Sequence, residues 1–119
     1  KIASSYYNKI VLSLKDKNEV KSLTYLAQAY AHLKQADLAI ASITKAQVLA
    51  PDDDEVSYAS AIVYSLLGEK ASAVHHIKLA LQDNLGVVWF NLPWFDELCT
   101  EKTFKNLMVK YKNSKRCTF

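Results

Sequence analysis

The apolar positions of the chain recur at helical spacing, and one set of them recurs again 34 residues later. Four lie at i, i+3, i+4 and i+7, which is one stripe of a helix: Leu23, Leu26, Ala27 and Tyr30. A second stripe follows a short break at residues 34–36. The positions that recur without insertion are Ala27, Tyr30, Leu33, Ala39, Ile43 and Ala46, matched by Ala61, Tyr64, Leu67, Ala73, Ile77 and Ala80. This spacing predicts two antiparallel helical hairpins that stack on each other.

Small and large residues are distributed in the same way in both predicted hairpins. Ala27 on the first helix is expected to face Ala39 and Ala46 on the second, because small side chains let two backbones approach closely. Larger side chains such as Tyr30 and Ile43 then fill the space around these contacts. The pattern predicts an all-α fold.

These residues resemble the tetratricopeptide repeat family, whose period matches the one found here. The first unit reads Leu23-x2-Leu26-Ala27-x2-Tyr30, then Ala39-x3-Ile43, with Pro51 at the end of its second helix. The second unit keeps the pattern from Ala61 to Ala80 with Gly68 at its turn, and it departs at Ser57, Ser60 and Leu85. The resemblance covers residues 21–85. It implies a right-handed α-α superhelix of stacked antiparallel hairpins, with a concave groove that binds other proteins.

The remaining segments are expected to close the two ends of the stack. Two units are fewer than the roughly three that a repeat stack usually needs, so caps are required. We expect one domain with an N-terminal capping helix or half-repeat (1–19), repeat 1 (20–53), repeat 2 (54–87), a C-terminal cap (88–112) and a tail (113–119).

Aromatic residues dominate the predicted C-terminal cap, and we interpret them as structural and not as a second binding site. Trp94-Phe95-x2-Leu98 and Phe104-x2-Leu107 are similar to the segment that closes many bacterial tetratricopeptide arrays. Those arrays are appended to serine/threonine kinases, adenylate cyclases and winged-helix transcription regulators; here Glu101-Lys102-Thr103 replaces their Asp-Pro-Arg. The resemblance implies the C-terminal module of a larger bacterial signalling protein. The start at Lys1 and not at Met predicts an excised fragment.

Positive charge is concentrated at the C-terminus. The formal net charge is +3, and residues 101–119 carry six lysines and arginines against one glutamate. A basic stretch attracts nucleic acid, but it also complements the dipole at a helix C-terminus. No arginine-rich array or stacking platform accompanies it, so we expect a solvated tail and no nucleic-acid partner.

The two cysteines and the absence of a targeting segment bear on the compartment. Cys99 and Cys117 are expected to be free thiols, one buried and one in the tail, with a disulfide as the alternative. No signal peptide is visible and the apolar runs are too short to cross a bilayer. The sequence therefore predicts a cytoplasmic location without membrane contact.

No residue set in the sequence predicts catalysis. His75 and His76 are adjacent, so on a helix they point about 100° apart and are expected to be surface histidines. Residues 52–54 are three aspartates without the glycine and glutamate of a calcium loop, and they are interpreted as helix capping. We expect no enzyme activity, no catalytic or metal-binding residues, no cofactor and no small-molecule substrate.

The face opposite the packing stripe is the candidate site. By the family resemblance it lines the groove, and its residues are Lys21, Tyr25, Gln28 and His32 in unit 1, and Tyr58, Ile62 and Leu66 in unit 2. An apolar row such as that of unit 2 marks a contact surface, unless neighbouring helices cover it. We therefore expect a protein interaction module that binds a peptide or partner domain. The alternative is self-association, as a homo-oligomer, or packing against other domains of a parent protein.

Overall fold

The computed structural model describes residues 2–83 and 85–117, with side chains from residue 4 onward. The α-helices are α1 (Ile2–Leu14), α2 (Val20–His32), α3 (Ala36–Leu49), α4 (Asp54–Leu66), α5 (Lys70–Gln82) and α6 (Lys102–Lys110). Two 3₁₀ helices, η1 (Val87–Asn91) and η2 (Pro93–Thr100), stand between α5 and α6. The predicted all-α fold is confirmed for this part of the chain. Lys1, Thr118 and Phe119, which bound the predicted N-terminal region and tail, lie outside it.

The helices repeat at the interval found in the sequence. Val20 and Asp54, the first residues of α2 and α4, are 34 positions apart, and so are Ala36 and Lys70 at the start of α3 and α5. α2 packs against α3, α4 against α5, and α2 lies beside α4, while α1 packs on α2. The small residues predicted at the helix crossings are all fully buried: Ala27, Ala39, Ala46, Ala61, Ala73 and Ala80.

Equivalent turns close the two hairpins. Lys34 (φ 61°) and Gly68 (φ 79°) both adopt the left-handed conformation just after α2 and α4. The next amide in each turn reaches back to the helix, from Gln35 to the Tyr30 carbonyl at 2.9 Å and from Glu69 to the Tyr64 carbonyl at 2.8 Å. These bonds satisfy carbonyl groups that a helix end leaves free.

The acidic residues before α4 cap it, as predicted. Asp53 precedes the helix in an extended conformation, and its carboxylate accepts a hydrogen bond from the Glu55 amide at 2.8 Å. Asp54 and Glu55 then occupy the first turn, where negative charge is favourable. Among the described residues, no group of three or more metal-ligating side chains lies close enough to hold an ion.

Residues 85–117, which we call the cap segment, pack against α4 and α5. The side chains of Phe90, Phe95 and Phe104 are fully buried there, in one core with Ile62 and Ile77. A second core lies between α2, α3 and α4, and Val11 and Leu14 of α1 pack against its edge. The stack is therefore covered by α1 on one side and by the cap segment on the other. No described helix combines the length and the apolar character needed to cross a membrane.

The expectation of two free thiols is wrong, because Cys99 and Cys117 form a disulfide. The chain reverses after α6, where Lys112 is left-handed (φ 65°), and the reversal brings Cys117 back to η2. Their Cα atoms are 5.4 Å apart, within the range that a disulfide spans. Sequence spacing alone did not reveal this return.

The prediction of a solvated basic tail is wrong for Arg116, whereas Ser114 and Lys115 of the same stretch are exposed. Arg116 is buried, and its guanidinium donates hydrogen bonds to the carbonyls of Phe90 and Leu92 and to the Asp96 carboxylate. The Leu92 and Asp96 bonds are both 2.9 Å long. One positive side chain thus satisfies two carbonyl groups at the junction of η1 and η2. Arg116 closes the cap segment instead of extending into solvent.

Candidate partner-binding site

The predicted groove residues of α2 form one row on its surface. Lys21 is exposed, Tyr25 is 49% exposed, and Gln28 and His32 are half-buried. They form one row because residues spaced by three, four and seven positions share a helical face, and this face lies opposite Ala27. In the structure, all four residues lie on the surface of α2 between α1 and α4.

The corresponding row of α4 is mostly covered. Ile62 is only 4% exposed and belongs to the core beneath the cap segment, whereas Tyr58 and Leu66 are half-buried. The alternative that neighbouring elements cover this row therefore applies to Ile62. The cap segment covers Ile62, because the apolar rings of the cap segment are buried against this face of α4.

Tyr58 and Ser65 of α4 hold the cap segment by hydrogen bonds to backbone carbonyls of the cap segment. The Tyr58 hydroxyl donates to the Trp89 carbonyl at 3.1 Å, and the Ser65 hydroxyl donates to the Trp94 carbonyl at 2.5 Å. Burial raises the pKa of Tyr58 to about 12, so this hydroxyl keeps its proton at neutral pH. The Tyr58 ring also makes an edge contact with Phe90, with centroids 5.5 Å apart. These contacts fix where the two tryptophans emerge.

A first cleft of about 550 Å³ opens between α1 and α2. Its walls are mainly aromatic: Tyr6 and Tyr7 from α1, Tyr25, Gln28 and His32 from α2, and Trp94 from η2. None of the described residues that line this cleft is a Lys, Arg, Asp or Glu. It is suited to apolar or weakly polar groups.

A second cleft of about 420 Å³ lies between α2 and α4. Tyr25 and Gln28 form one wall, and Tyr58 and Trp89 lie opposite. Unlike the first cleft it is charged, with Lys21 from α2 and with Asp54 and Glu55 from the first turn of α4. Tyr25 and Gln28 line both clefts, so the two form one continuous concave surface, which we call the double cleft.

Three rings join the elements around the first cleft. Tyr7 stacks on His32 with ring centroids 4.1 Å apart, and Trp94 meets His32 edge-on at 4.8 Å. Burial, and secondarily the charge of Lys34, lowers the pKa of His32 below its ordinary value of 6.5. His32 is therefore neutral at pH 7, as suits a ring held between two aromatic side chains.

Tyr6, Trp89 and Trp94 line the clefts although the sequence did not predict them as site residues. The two tryptophans were assigned to the cap, yet Trp89 is 53% and Trp94 36% exposed. Each is followed by a buried phenylalanine, Phe90 or Phe95, because neighbours in a 3₁₀ helix point about 120° apart. The repeated Trp-Phe pair was the available signal that one ring of each pair faces outward.

His75 and His76 differ in environment, which corrects the prediction that both are surface histidines. His75 is exposed, whereas His76 is half-buried and stacks on Tyr64 with centroids 5.3 Å apart. Burial, with a smaller contribution from His75, lowers the pKa of His76 to about 4. The pair is positioned by packing, outside the double cleft.

No family model, curated protein or solved structure matches the chain. The candidate site is therefore defined by its own geometry. That geometry is a pair of adjoining clefts with a shared wall at Tyr25 and Gln28, exposed aromatic rings and acidic side chains at one end.

Proposed function

We propose that the chain is a tetratricopeptide-type protein interaction module that binds a segment of another protein in the double cleft and carries out no chemistry of its own. The 34-residue interval between equivalent helices supports the family assignment. The row of Lys21, Tyr25, Gln28 and His32 along the double cleft supports the assignment of the site.

The observation that carries the proposal is the position of Tyr25 between the two clefts. Its ring borders both of them and is about half exposed. Exposed aromatic side chains grouped around a concavity are typical of contact surfaces, where Tyr and Trp contribute much of the binding energy. Trp89 and Trp94 place one such ring beside each cleft.

Selection of peptides from a random displayed library tests this function. We expect the wild-type chain to enrich peptides whose binding falls about tenfold or more in Tyr25→Ala, as for a central interface residue. The melting temperature of this variant should stay close to that of the wild type. Leu12→Ala, at an exposed position of α1 outside both clefts, is the control and should bind normally. Enriched peptides that ignore Tyr25→Ala would contradict the proposed site.

A second candidate function is self-association or packing against another domain of a parent protein. The outer face of α3 favours it, because Leu38, Val48 and Leu49 are all large and exposed there. We expect Val48→Asp to abolish concentration-dependent sedimentation of the isolated chain if this face mediates contact between copies. A monomer at all concentrations would remove self-association and leave contact with another domain.

The disulfide changes the expected compartment. A cytoplasmic location is predicted from the sequence, whereas disulfides such as Cys99–Cys117 persist in oxidising compartments and are rare in the cytosol. We therefore propose that the module works in an oxidising compartment, as part of a larger signalling protein of bacterial type. Alkylation and intact-mass measurement of the protein isolated from its native cells test this directly. Two modified thiols would contradict it.

A further inference from the structure

We propose that the segment bound in the double cleft is proline-rich, adopts the polyproline II conformation, and carries a basic residue at the end that lies over α4. This inference rests on the proposed function and names the chemical class of the partner. It follows from the hydrogen-bonding groups, the shape and the charge of the double cleft.

The double cleft is bordered by hydrogen-bond donors that have no acceptor within the described part of the chain. They are the hydroxyl of Tyr25 and the indole N–H groups of Trp89 and Trp94. Gln28 uses its side-chain amide to donate to the Thr24 carbonyl at 3.2 Å, which leaves its second N–H available. A partner that offers many free acceptors suits this surface.

A polyproline II segment offers such acceptors. Its backbone makes no internal hydrogen bonds, so its carbonyl groups stay free, and proline contributes no N–H that would need an acceptor in return. A helical partner already uses its carbonyls within the helix. A partner in β-conformation needs a strand edge to pair with, and every regular element in residues 2–83 and 85–117 is helical. Of the three, polyproline II matches best.

The aromatic walls provide the apolar contacts that proline rings require. Grooves lined with aromatic side chains are the usual receptors for proline-rich segments, because the rings pack flat against each other and the ligand is already ordered. A polyproline II helix presents the same face every third residue, at intervals of about 9 Å. We expect two prolines of one such face to occupy the two adjoining clefts, one on each side of Tyr25.

The charge of the double cleft sets the direction of the segment. Only the cleft against α4 is charged, and there Asp54 and Glu55 stand against the single cation Lys21. Neither carboxylate is in an ion pair within the described residues. A lysine or arginine of the partner placed beside Asp54 and Glu55 would complete this site. The first cleft, which has no formal charge, takes the uncharged prolines.

The probe for the test is a synthetic peptide of about nine prolines, three turns of polyproline II, with one terminal arginine. Binding is measured by calorimetry and by the fluorescence of Trp89 and Trp94, since one tryptophan lies in each cleft. The matched peptide has alanine in place of every proline and the same arginine. We expect the proline peptide to bind at least about tenfold more tightly, because alanine removes both the ring contacts and the ordered conformation.

Variants locate the binding. We expect Tyr25→Ala to weaken the proline peptide by about tenfold and Leu12→Ala to leave it unchanged. Glu55→Lys, an exposed change that tests charge without disturbing the core, should weaken the arginine peptide several-fold but not a peptide with glutamate in place of arginine. Equal effects of Glu55→Lys on both peptides would overturn the predicted direction.

The outcome separates this inference from the function on which it rests. If the alanine peptide binds as well as the proline peptide, or if the displayed library yields Tyr25-dependent peptides that are helical and lack proline, the polyproline assignment is wrong and the interaction function stands. If no library peptide depends on Tyr25, both are wrong.

Discussion

Tyr7 and His32 stack face to face, with ring planes inclined by only 5°, and thereby fasten α1 to the end of α2. Trp94 of η2 makes an edge contact with the same His32 ring. The N-terminal helix and the cap segment are thus joined by one imidazole ring, although they lie at opposite ends of the sequence. All three rings line the first cleft.

Enlarging a residue at a helix crossing should destabilise the fold. Ala61 is fully buried in α4, so Ala61→Leu forces neighbouring side chains apart and is expected to cost about 1 to 3 kcal/mol of unfolding free energy. Ala71→Leu places the same side chain at an exposed position of α5 and should be nearly neutral. Denaturant unfolding measures both. Equal stability of the two variants would contradict the close packing.

Gly68→Ala should destabilise the turn between α4 and α5. Gly68 has φ of 79°, and a Cβ there would meet nothing within 4 Å, so the cost is conformational, about 1 kcal/mol. Gly86→Ala is the matched control, because Gly86 has φ of −64° and its added Cβ would make ordinary contacts at 3.7 and 3.8 Å. A lower melting temperature is expected for Gly68→Ala alone.

Arg116→Ala should destabilise the cap segment by about 2 to 3 kcal/mol, because the carbonyls of Phe90 and Leu92 would lose a charged donor. Lys105→Ala removes the same charge from an exposed position of α6 and should change little. The measurement is denaturant unfolding at constant ionic strength. An equal, small effect of both variants would mean that Arg116 is solvated after all.

Deletion of residues 113–119 should be costly, in contrast to the tolerance that the polar and basic composition of this stretch predicts. The deletion removes both Arg116 and Cys117. The disulfide closes a loop with a sequence separation of 18, so its loss alone should lower the free energy of unfolding by about 3 kcal/mol. Cys117→Ser isolates this contribution. Reduction of the wild-type protein should lower its melting temperature to that of Cys117→Ser, and no change on reduction would contradict the prediction.

Stability should fall between pH 6.5 and pH 4 because of His76. Its pKa in the folded protein is about 4, below the ordinary value of 6.5, so the unfolded chain binds the proton first as the pH falls. The stabilisation is complete above pH 6.5 and is lost as the pH approaches 4. His76→Phe keeps a ring against Tyr64 but cannot titrate, and it should flatten this part of the profile. His75→Gln should leave the fall in place.

The hairpins could be predicted from the sequence because their packing is periodic. Ala27 and Ala61 occupy the same place in two copies of one pattern, and both are fully buried. The cap segment has no such period. No sequence repeat predicts the reversal of the chain after α6. This reversal brings Cys117 back to Cys99 and buries Arg116.

The sequence predicted the residues of α2 that line the double cleft, and also Tyr58 of α4, which lines the second cleft. Tyr25 and Gln28 follow from helical geometry, since they lie opposite the packing stripe. Ile62 follows the same rule on α4 but is covered, because the cap segment buries its phenylalanines there. Trp94 entered the site for a tertiary reason, through its edge contact with His32.

The attachment of the cap segment to α4 sets an order of events during synthesis. The hairpins are built from local contacts. The hydrogen bonds from Tyr58 to Trp89 and from Arg116 to Phe90 instead join residues that are 31 and 26 positions apart, so they form only after the later residue has been synthesised. Because the ribosome delivers the N-terminal part first, the hairpins can fold while Ile62 is still uncovered. A nascent chain that has not yet released Arg116 therefore exposes an apolar face, and that interval is when it depends most on protection from aggregation.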